Sequence, residues 1–410
     1  MPNTSNPYQF GEPRPHEKLQ VKARLEAAFA APEAGIRDQS QKFAAALSDA
    51  ETAFRKGRFQ KLPPPTGTPP FRIQLADIIG AQAVQKIEQA RKFVFHSVGD
   101  TGQHGHGAEA QESVSFHMEQ QIKAPDVAPE DVPVLFYHLG DVVYYNGELK
   151  LYPEQFYDPY QFYTAAIIAI PGNHDGDPVP GDDSLSAFVE NFCKPAPETP
   201  PTPGLSQRLT MTQPNIYFTL QAPFITIIGL YSNVTGDLDD PNQPDSEPQF
   251  DWFVKELQEA DPGKFLVVAV HHPPFSADNV HGGEMKIGHS LDTAFEKAGL
   301  LPHLVLTAHV HDYQKFLRNQ QVGNISREIP YIVAGAGGYA GFDSLHHVYD
   351  GLQFPPGVSL VKSNDKAPGF LRITVSTDEL TGEYFTVPRP PDHISEDHPA
   401  TKFESFKIQR

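Results

Sequence analysis

The chain has 410 residues, 39% of them apolar, which is enough for a substantial core in one large domain with extensions or in two domains. Its formal net charge of −19 at pH 7 argues against a general binder of nucleic acid or of anionic membranes. Cys193 is the single cysteine, which excludes an intrachain disulfide and a cysteine-rich zinc site.

The first ninety residues carry no pattern that indicates a chemical site. Two helices are predicted within 18–56, and a third is predicted over 74–90, after the proline-rich linker that begins at Pro63. We expect residues 1–90 to form an arm and a helical extension that packs on the main domain, in preference to a dimerisation arm. The start of the chain lacks a signal-peptide pattern, and no segment approaches the ~18 apolar residues of a membrane span, so the expected compartment is the cytoplasm.

Five short apolar runs, rich in Val, Ile, Leu and Phe, are predicted to be buried strands. They cover 93–98, 134–139, 165–170, 265–270 and 304–308, and they lead into Gly99-Asp100, Gly140-Asp141, Gly172-Asn173-His174-Asp175, His271-His272 and His309-Val310-His311. Because ligands bind at the carboxyl ends of the strands in open α/β sheets, we expect these polar side chains to meet at one edge.

The side chains at these strand ends are of the kinds that bind metal ions. Pooled together they supply two Asp, one Asn and at least four His, which is more than one tetrahedral or octahedral ion can use, so two ions are predicted. Carboxylate, amide and imidazole ligands without thiolate suit Fe, Mn or Zn. Two such ions about 3.5–4 Å apart can activate a water and clamp a phosphate.

The loop after the first of these strands contains His104 and His106 among glycines, which let a backbone approach an ion or a phosphate closely. Both histidines are candidate substrate contacts, and the alternative is a solvated loop with incidental histidines. His272 and Asn173 are further candidate substrate contacts. For His272, His281 and Arg208 a structural role is favoured over a substrate contact.

The remaining predicted elements carry no site chemistry. They are a helix over 184–193, strands of a second sheet over 216–220 and 224–231, helices over 250–257 and 291–298, a strand over 331–334, a closing hairpin of 370–375 and 383–387 around a turn at Thr381-Gly382, and a C-terminal tail over 391–410. The stretch that starts at Gly335 nominally matches the dinucleotide pattern G-x-G-x-x-A, but no clear helix follows it, which argues against that interpretation.

The ordered strand-end motifs together resemble those of a known family. The motifs are Gly99-Asp100-Thr101-Gly102, Gly140-Asp141-Val142-Val143-Tyr144, Gly172-Asn173-His174-Asp175, Val268-Ala269-Val270-His271 and Ala308-His309-Val310-His311. This set resembles the calcineurin-like metallophosphoesterases, and within them the purple acid phosphatase-like branch, over roughly 91–340. The resemblance implies an α/β fold, a four-layer α-β-β-α sandwich of two mixed sheets flanked by helices. The catalytic domain would cover 91–390.

The resemblance also implies a role for each matched residue. Six residues would be metal ligands: Asp100 and His311 on the first ion, Asp141 bridging both ions, and Asn173, His271 and His309 on the second. His174 matches the family's catalytic histidine, which stabilises the transition state or protonates the leaving group, and Asp141 would share the catalytic work by holding both ions.

Two positions depart from the family's motifs. The first motif is usually D-x-H, and its histidine, which binds the first ion, is replaced here by Gly102. In the purple branch the tyrosine that closes G-D-x-x-Y fills this place, and Tyr144 stands there; a phenolate ligand implies iron in the first site, with Fe, Zn or Mn in the second. His104 is the alternative ligand. Ala308 replaces the usual glycine before the last histidine pair, where the turn is expected to be crowded.

The implied activity is hydrolysis of a phosphorylated small molecule by water that the two ions activate. A phosphomonoesterase is the first expectation, and a phosphodiesterase acting on nucleotides or lipid head groups is the alternative, since the same site serves both. A non-catalytic protein-binding scaffold is the third interpretation. Scaffolds of this fold usually lose metal ligands, whereas only the D-x-H histidine is missing here. No role with nucleic acid or membrane is expected, and no pattern indicates an oligomeric state.

Overall fold

In the computed structural model the described residues are 62–102, 108–124, 126–177, 183–234, 238, 249–339, 343, 345, 354–389 and 392–410. The helices predicted within 18–56, together with His104 and His106, lie outside these residues. Among the described helices, none combines the length and the apolar character that crossing a membrane requires.

The described residues form fourteen strands and seven α-helices. The strands are β1 (Arg72–Gln74), β2 (Phe93–Val98), β3 (Leu135–His138), β4 (Ala166–Ala169), β5 (Phe218–Ala222), β6 (Ile225–Leu230), β7 (Phe265–Val270), β8 (Leu304–Thr307), β9 (Tyr313–Val322), β10 (Ile325–Ala334), β11 (Val358–Asn364), β12 (Gly369–Val375), β13 (Glu379–Thr386) and β14 (Thr401–Gln409). The helices are α1 (Leu75–Ile79), α2 (Ala81–Ala90), α3 (Glu109–Lys123), α4 (Asn173–Gly176), α5 (Ser186–Phe192), α6 (Gln249–Gln258) and α7 (Met285–Ala298).

Two mixed sheets make up the core. The eight-stranded sheet has the order β1-β5-β6-β7-β8-β10-β9-β11, and the six-stranded sheet has the order β14-β13-β12-β2-β3-β4. Strands β2, β3 and β4 are parallel to one another, as are β6, β7, β8 and β10. Every residue of β2, β3, β6, β7 and β8 is buried, as expected for parallel strands that are covered on both faces.

The sheets pack on each other through aromatic side chains. The ring centroids of Tyr137 on β3 and Phe218 on β5 are 6.2 Å apart. Tyr313 of β9 stacks on Tyr384 of β13 with ring centroids 3.9 Å apart. Helices α6 and α7 pack together beside the eight-stranded sheet, and α3 packs on β12 of the six-stranded sheet. The predicted α/β sandwich of two mixed sheets flanked by helices is confirmed.

Three segments differ from the sequence-based expectation. The expected tail contains β14, which pairs antiparallel with β13 at the edge of the six-stranded sheet. The turn of the closing hairpin lies between β12 and β13, where Ser376 bonds Glu379, and not at Thr381-Gly382. Gly382 lies inside β13. A side chain at this position would overlap the ring of Phe406, which explains why the strand contains a glycine there.

The N-terminal part of the described chain belongs to the core of the molecule. Strand β1 pairs in parallel with β5, so residues 72–74 are part of the main sheet, although the predicted boundary at residue 90 placed them outside the catalytic domain. The single helix expected over 74–90 is two helices, α1 and α2, which meet at Gly80 with φ 86°. The Trp252 indole donates to the Pro70 carbonyl at 2.6 Å and fixes the segment before β1.

Arg72 on β1 is the charged link between this segment and helix α6. Its guanidinium donates from Nε and Nη2 to the carboxylate of Glu256, which is 2% exposed and also accepts from Thr219. We expect Arg72→Ala to lower the free energy of unfolding by about 2 kcal/mol, because it leaves a buried carboxylate without its cation. Chemical denaturation would measure this loss. Lys402→Ala, which removes an exposed partner of Glu383, is the control and should change stability by less than about 0.5 kcal/mol.

Candidate metal centre

The carboxyl ends of strands from both sheets meet at one edge of the sandwich. The His271 imidazole, after β7, bonds the Leu139 carbonyl, after β3, at 2.8 Å from its Nδ1. The backbone N–H of His309, after β8, donates to Oδ2 of Asp100, after β2, at 2.7 Å. These bonds join the two sheets at the point where the predicted ligands project. Asp100, Asp141 and His309 have φ values of 56°, 54° and 68°, a left-handed conformation that is uncommon outside glycine and concentrates at functional sites.

Three of the predicted ligands form one group, which we call the first-ion group: Asp100, Tyr144 and His311. The Tyr144 hydroxyl lies 3.0 Å from Asp100 Oδ1 and 3.3 Å from His311 Nε2, and His311 Nε2 lies 3.6 Å from Asp100 Oδ1. All three side chains are buried. Three donor atoms of three different chemical kinds therefore face one point.

The second-ion group consists of Asn173, His271 and His309. His271 Nε2 lies 3.2 Å from Asn173 Oδ1 and 3.3 Å from Asp141 Oδ2. The ligand atoms of Asp141, His271 and His309 all lie within 4.8 Å of one another. Because a carbonyl can only accept, the proton of His271 is on Nδ1, and the Nε2 lone pair is directed at this group.

Asp141 stands beside the second-ion group, and Asp100 is close enough to interact with it electrostatically. Burial and repulsion from Asp141 raise the pKa of Asp100 well above its ordinary value. Burial alone would also raise the pKa of Asp141, but the neighbouring imidazoles of His271 and His174 lower it. Within the described part of the chain, Asp141 Oδ2 has no well-aligned hydrogen-bond donor. Two buried carboxylates of this kind, with amide, imidazole and phenol donors around them, fit a pair of divalent or trivalent cations.

There is no room for a histidine side chain at Gly102, the place where the resemblance expects one. A side chain at Gly102, the place of the D-x-H histidine, would overlap the Val142 carbonyl oxygen and come within 2.7 Å of Gln155 Oε1. Gln155 in turn accepts from the Tyr144 backbone N–H and donates to its carbonyl, each at 2.8 Å. Gly102 thus makes room for the loop that presents Tyr144. The competing candidate, His104, lies outside the described residues.

Ala308 causes no crowding of its turn, contrary to the expectation. Its φ is not in the left-handed region, so alanine meets no backbone strain there. Its methyl group lies against the α-carbon of Gly99, and a side chain at Gly99 would overlap this methyl group. The two positions are complementary across the two sheets.

His174 lies next to both groups. Its Nδ1 is 2.8 Å from the Tyr145 carbonyl, so that nitrogen carries a proton, and its Nε2 is 4.0 Å from Asp141 Oδ2. The backbone N–H of His174 donates to Asp141 Oδ1 at 2.8 Å. The ring centroid of Tyr144 lies 4.3 Å from that of His174. The imidazole is thus held with Nε2 towards the Asp141 carboxylate.

The predicted substrate contacts lie in different places. Asn173 is in the second-ion group. His272 is buried, with its ring 4.3 Å from that of His309 and its Nδ1 2.7 Å from the Ser232 hydroxyl. Ser232, which follows β6, therefore contacts a histidine beside the second-ion group.

The sequence did not indicate Asp343, and it favoured a purely structural role for His281 and Arg208. His281 lies beside the centre, with its ring 4.6 Å from that of His309 and its Nδ1 2.8 Å from Asp343 Oδ2; Asp343 also accepts the His311 backbone N–H at 3.1 Å. Arg208, by contrast, donates to the backbone carbonyls of Tyr163 and Ala165, before β4 and away from the site, as a structural residue does.

Asp175, the last residue of the Gly172-Asn173-His174-Asp175 motif, connects the loops after β3 and β4 by hydrogen bonds. It accepts from the backbone N–H groups of Gly172, Val142 and Val143 at 2.9 to 3.2 Å. Burial and the charge of Asp141 raise its pKa to about 6. The single sequence signal for this role is its position directly after the Gly172-Asn173-His174 motif.

The convergent edge of the sandwich gathers carboxylate, amide, phenol and imidazole groups that suit metal ions. A family model described as calcineurin-like phosphoesterase matches residues 88–313, which is more than half of the chain. The chain belongs to this family and is a metallophosphoesterase. No curated protein matches the sequence.

Solved structures share the fold at low identity. A purple acid phosphatase, PPD1, from yellow lupin (Lupinus luteus) is 15% identical, with a TM-score of 0.53 over 78% of this chain and 54% of that one. This chain thus spans about half the length of the lupin protein. Two further similar structures are GAP50 of Plasmodium, described as the anchor in the inner membrane complex (12% identical, TM-score 0.47, 78% of this chain and 89% of that one), and PhoD (14% identical, TM-score 0.46, 85% and 72%).

Proposed function

We propose that the protein is a phosphomonoesterase of the purple acid phosphatase type with two metal ions. The observation that carries this proposal is the position of the Tyr144 hydroxyl between Asp100 and His311, at the place that Gly102 leaves without a histidine. A tyrosine in the first-ion group is the feature that distinguishes the purple branch in the resemblance. The substrate is a phosphorylated small molecule.

The positions of the residues suggest which of them would bind each ion. Asp100, Tyr144 and His311 would hold the first ion, Asn173, His271 and His309 would hold the second, and Asp141 would serve both. When bound, the two ions supply an acidified water and Lewis-acid polarisation of the phosphate oxygens.

His174 supplies the protein's own acid–base group. Its Nδ1 proton is held by the Tyr145 carbonyl, so Nε2 is the atom that donates to a phosphate oxygen or to the leaving oxygen. Asp141 Oδ2 lies 4.0 Å from this Nε2. His272, on the second-ion side, and His104, in the loop after β2, contact the substrate in this proposal.

The chemistry of the ligands supports iron in the first site. A phenolate oxygen with one carboxylate and one imidazole suits ferric iron, whereas amide and two imidazoles suit Fe, Zn or Mn in the second site. We expect the iron-loaded protein to have a visible tyrosinate-to-iron charge-transfer band, and we expect Tyr144→Phe to remove it while the two sheets stay folded. Absorption spectra of the two proteins at equal iron content measure this.

Tyr157→Phe is the matched control, because Tyr157 is a buried tyrosine that bonds Asn191 and is not in either ion group. It should keep the band. A band of unchanged position and intensity in Tyr144→Phe would show that a different tyrosine binds the iron. Absence of the band from the iron-loaded wild-type protein would instead favour a ligand that is not a phenolate, with His104 as the first candidate.

Turnover of aryl phosphate monoesters against aryl phosphate diesters tests the monoesterase assignment. We expect monoesters to be preferred, with higher kcat/KM on the same metal-loaded preparation. A preference for diesters would instead assign a phosphodiesterase acting on nucleotides or lipid head groups.

A further inference from the structure

Two tyrosines that the sequence analysis did not single out stand on the first-ion side of the centre. The Tyr339 hydroxyl bonds that of Tyr145 at 3.1 Å, and the two rings are nearly perpendicular, with centroids 6.1 Å apart. Both side chains are partly exposed, whereas Tyr144 and His311 beside them are buried. The pair therefore forms an aromatic surface between the centre and solvent.

This tyrosine pair flanks the position that the phosphate takes in the proposed function. The Tyr339 ring centroid lies 4.3 Å from that of Tyr144 and 4.4 Å from that of His311, both in the first-ion group. The Tyr145 ring lies 5.9 Å from that of His174, the proposed acid–base group. In the proposed function the phosphate is held by the ions and by His174, so its ester group lies near these rings.

Both members of the tyrosine pair are fixed by their backbones. The Tyr339 N–H donates to the Asp100 carbonyl at 2.9 Å, and the Tyr145 carbonyl accepts from His174. Tyr145 also follows Tyr144, whose own backbone is clamped by Gln155. A surface held in this way loses little conformational freedom when a ligand packs on it, which favours binding.

We propose that Tyr145 and Tyr339 form a subsite for the ester group and select phosphate esters of planar aromatic alcohols over alkyl phosphates. This inference rests on the proposed function. The physical basis is ring stacking between a planar ester group and a tyrosine face, a contact that alkyl groups make less well.

The test compares 1-naphthyl phosphate with butyl phosphate as substrates of the metal-loaded full-length protein. We expect Tyr145→Leu to lower the aryl-to-alkyl ratio of kcat/KM about five-fold, equivalent to about 1 kcal/mol. Tyr145→Phe keeps the ring and should keep the ratio within about two-fold. Phe162→Leu removes an exposed aromatic ring near the amino end of β4, at the opposite edge of the sheet, and is the matched control.

Binding of non-hydrolysable ligands provides a second readout. The ratio of Kd values for phenylphosphonate and methylphosphonate should shift by the same factor in Tyr145→Leu, and Tyr339→Leu tests the partner ring if Tyr145→Leu does not fold. The subsite would be overturned if the wild-type protein hydrolyses both esters and the folded variant keeps the wild-type aryl-to-alkyl ratio of kcat/KM. The proposed function would then still stand. Failure of metal-loaded wild-type protein to hydrolyse any ester would overturn the proposed function, and the phosphonate ratio would still decide the subsite.

Discussion

Asp141→Asn is expected to abolish metal binding at the centre and to lower kcat/KM for an aryl phosphate by about 10³-fold or more. Asp141 is the carboxylate that faces His271 Nε2 at 3.3 Å and accepts the His174 backbone N–H at 2.8 Å. The neutral amide keeps the shape of the side chain and removes its charge. The imidazoles of the second-ion group then remain, but the shared anionic oxygen between the two ions is lost.

The measurement is elemental analysis of purified Asp141→Asn protein beside its turnover. Asp131→Asn is the matched control, because Asp131 pairs with Lys92 before β3, at the opposite edge of the sheet from the centre. The control should keep both metal content and activity. Full metal occupancy in Asp141→Asn would contradict the role of Asp141 as the bridging ligand.

His174→Ala is expected to give a different result: a loss of about 10²- to 10³-fold in kcat with metal content unchanged. The His174 ring centroid lies 4.3 Å from that of Tyr144, and its Nε2 lies 4.0 Å from Asp141 Oδ2, but His174 is not one of the proposed metal ligands. Its loss should therefore remove proton transfer and stabilisation of charge at the phosphate without removing an ion.

Steady-state kinetics and elemental analysis on the same preparation separate these two effects. His289→Ala, which removes an exposed histidine of α7, should leave kcat as in the wild type. Loss of metal in His174→Ala in proportion to the loss of activity would make His174 a ligand and not the acid–base group.

The sequence predicted those strands whose local pattern of apolar residues is enough to identify them. Strands β2, β3, β7 and β8 are mostly apolar, as expected for strands covered on both faces, and each is followed within three residues by a candidate metal ligand. Since all of them run in the same direction within their sheets, their ends had to meet once the sheets packed together. This is why Asp100 and His309, more than two hundred residues apart, were both recognised as candidates.

The missed elements depend on partners that a local pattern does not contain. Strands β9 and β14 are long and half exposed, and their polar side chains gave no apolar run. Glu404 of β14 is placed by bonds to Tyr313 and Lys315 of β9, and these bonds connect the two sheets. In the same way, His281 reaches the centre because Asp343 holds its ring, and no spacing in the sequence predicts that pair.

Elemental analysis of the wild-type protein after exposure to Fe, Mn or Zn tests the central claim most directly. The claim is that side chains from both sheets converge on a centre for two cations. We predict about two bound ions per chain, retained through gel filtration. A protein that binds no ion from any of these metals, or that binds a single ion without loss of occupancy in Asp141→Asn, would contradict it.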